Sequence, residues 1–300
     1  MRYLICCVAI ALCTIATPAS GQDDGGGFSG GRSGSGLPTD INLPRTIPQQ
    51  VAVKLKLDRT QQPDVDALLV AAAAEAARPT NEMLLARQRL LNALRAGNAD
   101  EASAAESAYA VAAAAGVTVE AGAFARVYAL LKPNQQKAAP EAFALMAGLF
   151  SNPRTPGAGG GGRPGGPGGR GGGVFPFSRF ELLVQYFTLE GEKKKAVKTA
   201  VDQVHAKAAP VRTGLLEAHA AVGVAALAGG AEPIAQAARA YAARAAAMAR
   251  LELEALSTVI GIADPDLQHR EGIQAAFVLV RGMFLRSKWD EIPNGNLPSY

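Results

Sequence analysis

Cysteine is almost absent from this sequence. The 300 residues contain three cysteines, Cys6, Cys7 and Cys13, and all of them lie near the amino terminus. The rest of the chain therefore cannot form a disulfide, and it offers no thiol as a nucleophile or metal ligand. Aromatic residues make up only 6% of the sequence, with a single tryptophan. A core rich in large rings is excluded, and the interior must be built mainly from small aliphatic side chains.

Histidine is also scarce, and its distribution excludes the usual metal and catalytic patterns. The chain has three histidines, His205, His219 and His269. On one straight helix, 14 residues separate the first two by about 21 Å, too far to share a metal ion. No Ser/His/Asp or Cys/His arrangement, phosphate-binding loop or paired-carboxylate motif is present. We therefore expect no enzymatic activity, no metal site and no cofactor.

Charge gives little indication of a partner. The formal net charge is +4 and the sequence pI is about 9.0, which is too mild to require nucleic acid as a ligand. Hydrophobic residues make up 49% of the chain, and alanine supplies much of that share. Alanine favours helix and allows close helix packing, so we predict an all-α, Ala-rich protein with coiled-coil-like hairpins.

The amino terminus has the pattern of a secretory signal peptide. Arg2 precedes an apolar run from Leu4 to Ala16, and small residues follow up to Gly21. The run is too short to anchor a protein in a bilayer, so we assign 1–21 as a cleaved signal and expect no stable membrane insertion. Cleavage near Ala19 to Gly21 predicts a periplasmic or secreted protein. Residues 22–47 are rich in Gly, Ser and Pro, which predicts a disordered tether.

An internal repeat organises the remaining chain. The stretch from Ala96 to Tyr109 is echoed from Ala228 to Tyr241, a shift of 132 residues (228 − 96). The same shift, without a gap, pairs Leu57 with Leu189, Val65 with Val197, Leu84 with Leu216, Glu120 with Glu252, Pro133 with Pro265 and Gln136 with Gln268. We interpret the pattern as a tandem duplication.

Each repeat is predicted to contain about four helices, including a long kinked hairpin. Repeat 1 covers 48–150 and repeat 2 covers 176–288, followed by an irregular tail at 289–300. Pro79 and Pro210 should kink the long helices or divide them in two. Gly97 should end one helix, and Asp264 should cap the start of the last one.

A Gly/Pro/Arg-rich linker at 151–175 separates the two repeats. Arg–Gly tracts bind RNA in some intracellular proteins. After a signal peptide, a flexible linker is the better interpretation, and about 20 such residues span roughly 25 Å. That distance allows the repeats to pack together, so we expect an intrachain pseudo-dimer and no nucleic-acid partner.

Two short motifs begin helices in repeat 1. They read Leu57-Asp58-Arg59-Thr60-Gln61 and Leu131-Lys132-Pro133-Asn134-Gln135. With the secretory signal, the cysteine-free mature chain and the helical hairpin, they resemble the paired Leu-Thr-x-x-Gln motifs of the Spy/CpxP family of periplasmic proteins. Asp58 and Lys132 replace the threonine. In repeat 2, Leu189 and the cap-like Asp264 remain, whereas Lys193 replaces the glutamine.

The resemblance implies an ATP-independent chaperone or envelope-stress protein. Members of that family hold unfolded clients on a helical cradle of mixed apolar and basic character. Unfolded or partly folded envelope proteins are therefore the expected partners. The candidate basic cluster for binding them is Lys193, Lys194, Lys195 and Lys198, although the same lysines could simply be a solvated helix start. Two alternatives stay open: a helical interaction or stress-signalling protein without chaperone activity, and a metal-responsive envelope protein.

Overall fold

The structure, a computed structural model, describes residues 47–146, 178–264 and 268–290. Within these ranges the regular secondary structure is helical, as the alanine content predicts. The helices are α1 (Ile47–Lys54), α2 (Gln61–Ala96), α3 (Ala99–Ala129), α4 (Pro133–Gln136), α5 (Ala139–Met146), α6 (Arg179–Tyr186), α7 (Gly191–Ala228), α8 (Ala231–Ala263) and α9 (Arg270–Leu279), followed by a short 3₁₀ helix at Met283–Leu285.

Two long helical hairpins dominate the fold. Helices α2 and α3 form hairpin 1, and α7 and α8 form hairpin 2. Gly97 makes the first turn possible because it adopts a left-handed conformation with φ of 66°. The N–H groups of Gly97 and Asn98 donate to Leu94 and Ala93, which satisfies carbonyls at the end of α2. The Asn98 side chain then accepts from Glu101 N–H and caps α3.

The hairpins pack against each other, with α3 and α8 in contact along the centre. Helix α2 also touches α8, and α3 touches α7. Alanine supplies many of the buried positions on the two central helices, and its small side chain lets helix axes approach closely. Those alanines are Ala102, Ala105, Ala112, Ala113, Ala121 and Ala123 on α3, and Ala238, Ala242, Ala245, Ala246, Ala249 and Ala255 on α8.

Helix α5 contributes the main aromatic contact of this core. The Phe143 ring lies edge-on to Phe124, with ring centroids 4.5 Å apart, and stacks on His219 of hairpin 2 at 5.1 Å. A Cβ added at Gly223 would lie 2.7 Å from the Phe143 ring. The absence of a side chain at Gly223 therefore allows α5 to pack against α7.

Several helix boundaries recur at the 132-residue shift. Helices α1 and α6 have the same length and match at both ends, α2 and α7 end at matching residues, and α3 and α8 begin at matching residues. Lys56 and Thr188, also 132 apart, are the only non-glycine residues of the described ranges with positive φ, at 50° and 49°. Each follows a short helix and helps to close the same type of C-terminal turn.

The long helices continue through their prolines. Of the two predicted effects, a kink or a division, division does not occur, because Pro79 and Pro210 both lie inside continuous helices. The Pro79 ring is buried near Gly116 of α3, where an added Cβ would make an ordinary van der Waals contact with it at 3.8 Å. Packing along the hairpin offsets the lost backbone hydrogen bond.

The ends of the repeats differ from the prediction. In repeat 1, Pro133 begins the short helix α4, and α5 follows it as a separate helix. The last helix of repeat 2 begins at Arg270, so Asp264 is not its N-cap. Asp264 instead ends α8, and its carboxylate accepts from the N–H groups of Gln268 and His269 at 2.9 and 2.8 Å. These bonds fix the backbone N–H groups of Gln268 and His269 directly before α9.

Several predictions lie outside the described residues: the signal peptide at 1–21, the tether except for its last residue, the linker at 151–175 and the tail beyond residue 290. Two described helices, α3 and α7, are long and apolar enough to cross a membrane by length and composition alone. Core helices meet the same criterion, and both of these pack against other helices here.

Candidate functional site

A buried ion pair joins the two hairpins. Arg87 on α2 donates from Nη1 to Oε2 of Glu252 on α8 at 3.0 Å. The two side chains are 2% and 0% exposed. Removal of two charges from water is costly unless each meets a partner of opposite sign. The pair therefore requires the hairpins to meet in one alignment.

A second polar pair joins the hairpins, with the basic residue now on hairpin 2 and the acid on hairpin 1. His219 on α7 lies 3.0 Å from Oε1 of Glu120 on α3, measured from Nε2, and both side chains are largely buried. Phe143 covers one side of the imidazole, and the Tyr241 ring meets it edge-on at 5.7 Å. The imidazole is thus held by a carboxylate of hairpin 1, by the Phe143 ring of α5 and by the Tyr241 ring of hairpin 2.

The two pairs occupy matching positions in the two hairpins. His219 is 132 residues after Arg87, and Glu252 is 132 residues after Glu120. Each basic residue reaches the acid of the other hairpin rather than its own. A two-fold symmetric contact has this property, since residue i meets residue j of the partner and j meets i.

Tyr109 and Tyr241 form the third matching set at this interface. Both phenols are buried, and burial raises the pKa of each above its ordinary value of 10.0. Arg87, by its charge and a hydrogen bond, partly opposes that rise for Tyr109, whereas the Glu120 charge adds to the rise for Tyr241. Both tyrosines therefore stay neutral hydrogen-bonding groups at neutral pH.

A small cavity lies beside these groups. Its volume is about 20 Å³, and its wall includes Thr80, Tyr109, Gly116, Glu120 and Tyr241. That volume is about what one water molecule requires. The position matching Gly116 in hairpin 2 is Met248, which is fully buried. The cavity is too small for an organic substrate, and the polar groups around it chiefly connect helices.

The motif residues of repeat 1 come together at the open end of hairpin 1. Gln61 and Gln135 exchange two amide hydrogen bonds of 3.0 and 2.9 Å. Gln61 also donates to the Leu130 carbonyl, and Gln135 donates to the Lys56 carbonyl. We call Asp58, Gln61, Lys132 and Gln135 the glutamine clasp.

Asp58 completes the glutamine clasp. Its carboxylate accepts from the Thr60 hydroxyl and from the Gln61 N–H, and it pairs with Lys132 at 2.9 Å. These interactions, led by the Thr60 bond, hold the pKa of Asp58 well below its usual value. Leu131 of the second motif is buried and Leu57 of the first is partly buried. Both motifs therefore act together, since each supplies half of the clasp.

Repeat 2 closes the same end of its hairpin with different groups. Lys193, which occupies the position of Gln61, donates to the Ala263 carbonyl at 3.5 Å. Asp264 is 4% exposed, and His269 lies 3.2 Å from its carboxylate. Leu189 is buried, as its counterpart Leu57 partly is. The amide pair is thus replaced by bonds from charged groups.

The lysines of the candidate basic cluster lie on the first turns of α7. Besides Lys193, Lys194 lies over the Phe180 ring at 5.8 Å. Lys195 and Lys198 pair with Glu192 and Asp202. Two of the four charges therefore have an acidic neighbour on the same helix, although all four residues are exposed.

Sequence reasoning did not identify the residues that connect the hairpins. The repeat had paired Glu120 with Glu252, but their partners Arg87 and His219 carried no motif. The same 132-residue shift pairs those two basic positions and could have found them. Within the described ranges, His, Cys, Asp and Glu do not gather in a group of three that could hold a metal ion.

Large aliphatic side chains remain exposed on the outside of the molecule. They include Val70 and Val111, at 71% and 72% exposure. Within the described ranges the set comprises Val53, Val70, Leu85, Val111, Leu130, Leu216, Val224 and Val278, and we call it the exposed aliphatic set.

Comparison of the chain with protein-family models, curated proteins and solved structures finds no match in any of the three.

Proposed function

We propose that this chain is a tandem duplication whose two helical hairpins form an intrachain pseudo-dimer. The exchanged pairs Arg87–Glu252 and His219–Glu120 support this proposal, as do the matching helix boundaries. If the two alanine-rich hairpins resembled each other only by chance, the 132-residue shift would not relate Arg87 to His219 and Glu120 to Glu252 in both buried pairs.

We further propose that the protein is a periplasmic, ATP-independent, chaperone-like protein of the Spy/CpxP type. The observation that carries this proposal is the exposed aliphatic set, of which five members lie on the long helices α2, α3 and α7. Unfolded chains expose apolar segments, and scattered aliphatic side chains on a rigid surface can bind them weakly and without sequence preference.

The proposed client surface lies on the outside of the hairpins. In the described residues α3 packs on α8, so the faces that would line an open cradle contact each other. Clients would therefore meet the outer faces of the hairpins, where the exposed aliphatic set lies. The basic cluster at Lys193, Lys194, Lys195 and Lys198 would add attraction for acidic clients from the start of α7.

Suppression of aggregation tests this function. The mature protein, without ATP, is mixed with chemically unfolded citrate synthase while light scattering is followed. We expect suppression at near-stoichiometric ratios. A triple variant, Val70→Gln, Val111→Gln and Val224→Gln, should lose several-fold in potency because three of the most exposed aliphatic side chains are gone.

A matched control keeps the aliphatic residues. Ala71→Gln, Ala104→Gln and Ala221→Gln alter exposed alanines on the same three helices, and this variant should suppress aggregation like the unmodified protein. Charge reversal at Lys193, Lys194 and Lys195 measures the basic contribution separately. Equal potency of both glutamine variants would contradict the proposed surface.

The alternative function is that of a helical interaction or stress-signalling protein without chaperone activity. The closed contact between α3 and α8 favours it, because no open cradle remains between the hairpins. If the folded, helical protein fails to suppress scattering at several-fold excess, this alternative replaces the chaperone function.

A further inference from the structure

The contact between the hairpins is self-complementary, and this property determines which partners can form it. Arg87 and Glu120 on hairpin 1 face Glu252 and His219 on hairpin 2. Each hairpin therefore presents one basic group and one acid to its partner, in matching places. Hairpin 1 can therefore pair with hairpin 2 of a second chain through the same groups that it uses within its own chain.

The described contacts between the hairpins do not depend on their order in one chain. They consist of helix packing between α3 and α8, the flanking contacts of α2 and α7, and the two buried pairs. The turns and the glutamine clasp that shape hairpin 1 lie within repeat 1. Hairpin 1 of one molecule could thus meet hairpin 2 of another with the same contacts.

We propose that the partner of this interface can be a second copy of the chain, in a hairpin-exchanged dimer. In that dimer Arg87 of each chain pairs with Glu252 of the other, and His219 of each chain pairs with Glu120 of the other. The sequence predicts a linker at 151–175, and short flexible linkers impose effective concentrations in the millimolar range. Dilute protein is therefore monomeric, and exchange grows as the protein is folded at concentrations approaching that range. This proposal rests on the pseudo-dimer and does not depend on client binding.

Two complementary variants test the exchange. Arg87→Glu places like charges opposite Glu252 within one chain, and Glu252→Arg places like charges opposite Arg87. When the two variants are refolded together, the glutamate introduced at position 87 of one chain faces the arginine introduced at position 252 of the other. The second interface of that mixed dimer keeps the native Arg87 and Glu252.

The expected result is a folded species of twice the chain mass, containing one copy of each variant, by native mass spectrometry. Each variant refolded alone should give at least several-fold less folded dimer. The matched control carries both substitutions in one chain, and it should refold as a monomer because the reversed pair is restored internally. If both variants fold alone as monomers and remain monomers when mixed, the proposal is overturned.

A measurement on unmodified protein covers the case in which the variants do not fold. Unlabelled and ¹⁵N-labelled chains are refolded together at about 10 µM, far below the millimolar effective concentration, and at about 1 mM, which approaches it. Mixed-label dimers should rise several-fold at the higher concentration and persist on dilution. Monomers alone at both concentrations would refute exchange, and they would leave the aggregation assay unaffected.

Discussion

The Arg87–Glu252 pair places two full charges in a protein interior built from alanines and aliphatic residues. Desolvation of such groups can cost as much as their attraction returns, so the pair need not add stability overall. Its main effect is on specificity. A shifted register of the hairpins would leave a buried charge opposite an aliphatic side chain. The native register is therefore favoured over shifted ones.

Loss of one member of this pair should be far more damaging than loss of an exposed pair. Glu252→Ala leaves Arg87 charged and buried, and we expect a cost of about 3–5 kcal/mol in the free energy of unfolding. Glu82→Ala removes the exposed partner of Arg78, and we expect a change within about 0.5 kcal/mol. Urea denaturation followed by circular dichroism compares the two variants. Equal effects would mean that Glu252 does not compensate the arginine charge.

Two helical glycines should respond in opposite ways to the same substitution. A Cβ at Gly122 meets nothing within 4 Å, so Gly122→Ala should stabilise α3 by about 1 kcal/mol through helix propensity. At Gly223 the Phe143 ring is only 2.7 Å away. Gly223→Ala should therefore destabilise by about 1–3 kcal/mol as the core is overpacked. Thermal unfolding measures both variants, and a stabilised Gly223→Ala would show that α5 does not pack there.

These residues also show what the sequence could and could not predict. The 132-residue repeat identified Glu120 and Glu252 as matching positions from the sequence alone. Their partners lie 99 and 165 residues away in the chain, and such pairings depend on how whole helices pack. Local periodicity carries no information about such pairings, so the pairs Arg87–Glu252 and His219–Glu120 were not predicted.

At the scale of helices and turns, local signals were more reliable. Gly97 predicted the end of α2, because glycine suits the left-handed end of a helix. The prolines do not divide their helices, since the long contact of each helix with its partner outweighs one missing hydrogen bond. The late start of α9 was also not predicted, because Asp264 bonds to backbone groups beyond the expected helix start.

The two short helices α1 and α6 end in the same left-handed turn, which a glycine should improve. Lys56 and Thr188 hold positive φ there without the freedom of glycine. Lys56→Gly and Thr188→Gly should each stabilise the protein by about 1 kcal/mol. The gain should be larger for Thr188, since its side chain is β-branched. Thermal unfolding gives the midpoints.

Gln185→Gly provides the control for these turns. Gln185 is exposed and lies within α6 at a helical position, so glycine there should destabilise by about 1 kcal/mol. Destabilisation at all three positions would contradict the left-handed turns.

The glutamine clasp should make hairpin 1 sensitive to acid. The Thr60 hydroxyl, Lys132 and the Gln61 N–H hold the pKa of Asp58 below its ordinary value of 3.8. A carboxyl group with a lowered folded-state pKa contributes stability above its unfolded-state pKa and loses it as the pH falls. Stability from Asp58 is therefore present at neutral pH and declines below about pH 4.

Asp58→Asn isolates this contribution. The variant should be less stable than the unmodified protein at pH 7, and the difference should shrink as the pH is lowered from about 4 towards 2. Unfolding midpoints at a series of pH values provide the measurement, with Asp64→Asn as a control at an exposed acid of α2. A constant difference at every pH would mean that Asp58 is not held as a carboxylate.

For the whole molecule, the central question is whether the hairpins unfold together. They share the α3–α8 contact and two buried polar pairs, so neither keeps its core intact when the other unfolds. Trp289, the single tryptophan of the chain, reports on hairpin 2: its indole donates to Asp202 of α7 at 2.6 Å. Fluorescence thus follows repeat 2, while circular dichroism follows all helices.

A substitution in hairpin 1 should therefore shift the unfolding of hairpin 2. Glu120→Ala removes the acid that meets His219 and should cost about 1–3 kcal/mol, as for a buried group left without its partner. We expect the fluorescence and circular dichroism midpoints to fall together by the same amount. Glu75→Ala, at the exposed partner of Arg126, should move neither midpoint. If Glu120→Ala instead lowered only the dichroism midpoint and left the Trp289 transition in place, the hairpins would be independent units. The buried pairs would then not couple the two halves, and the pseudo-dimer would have to be abandoned.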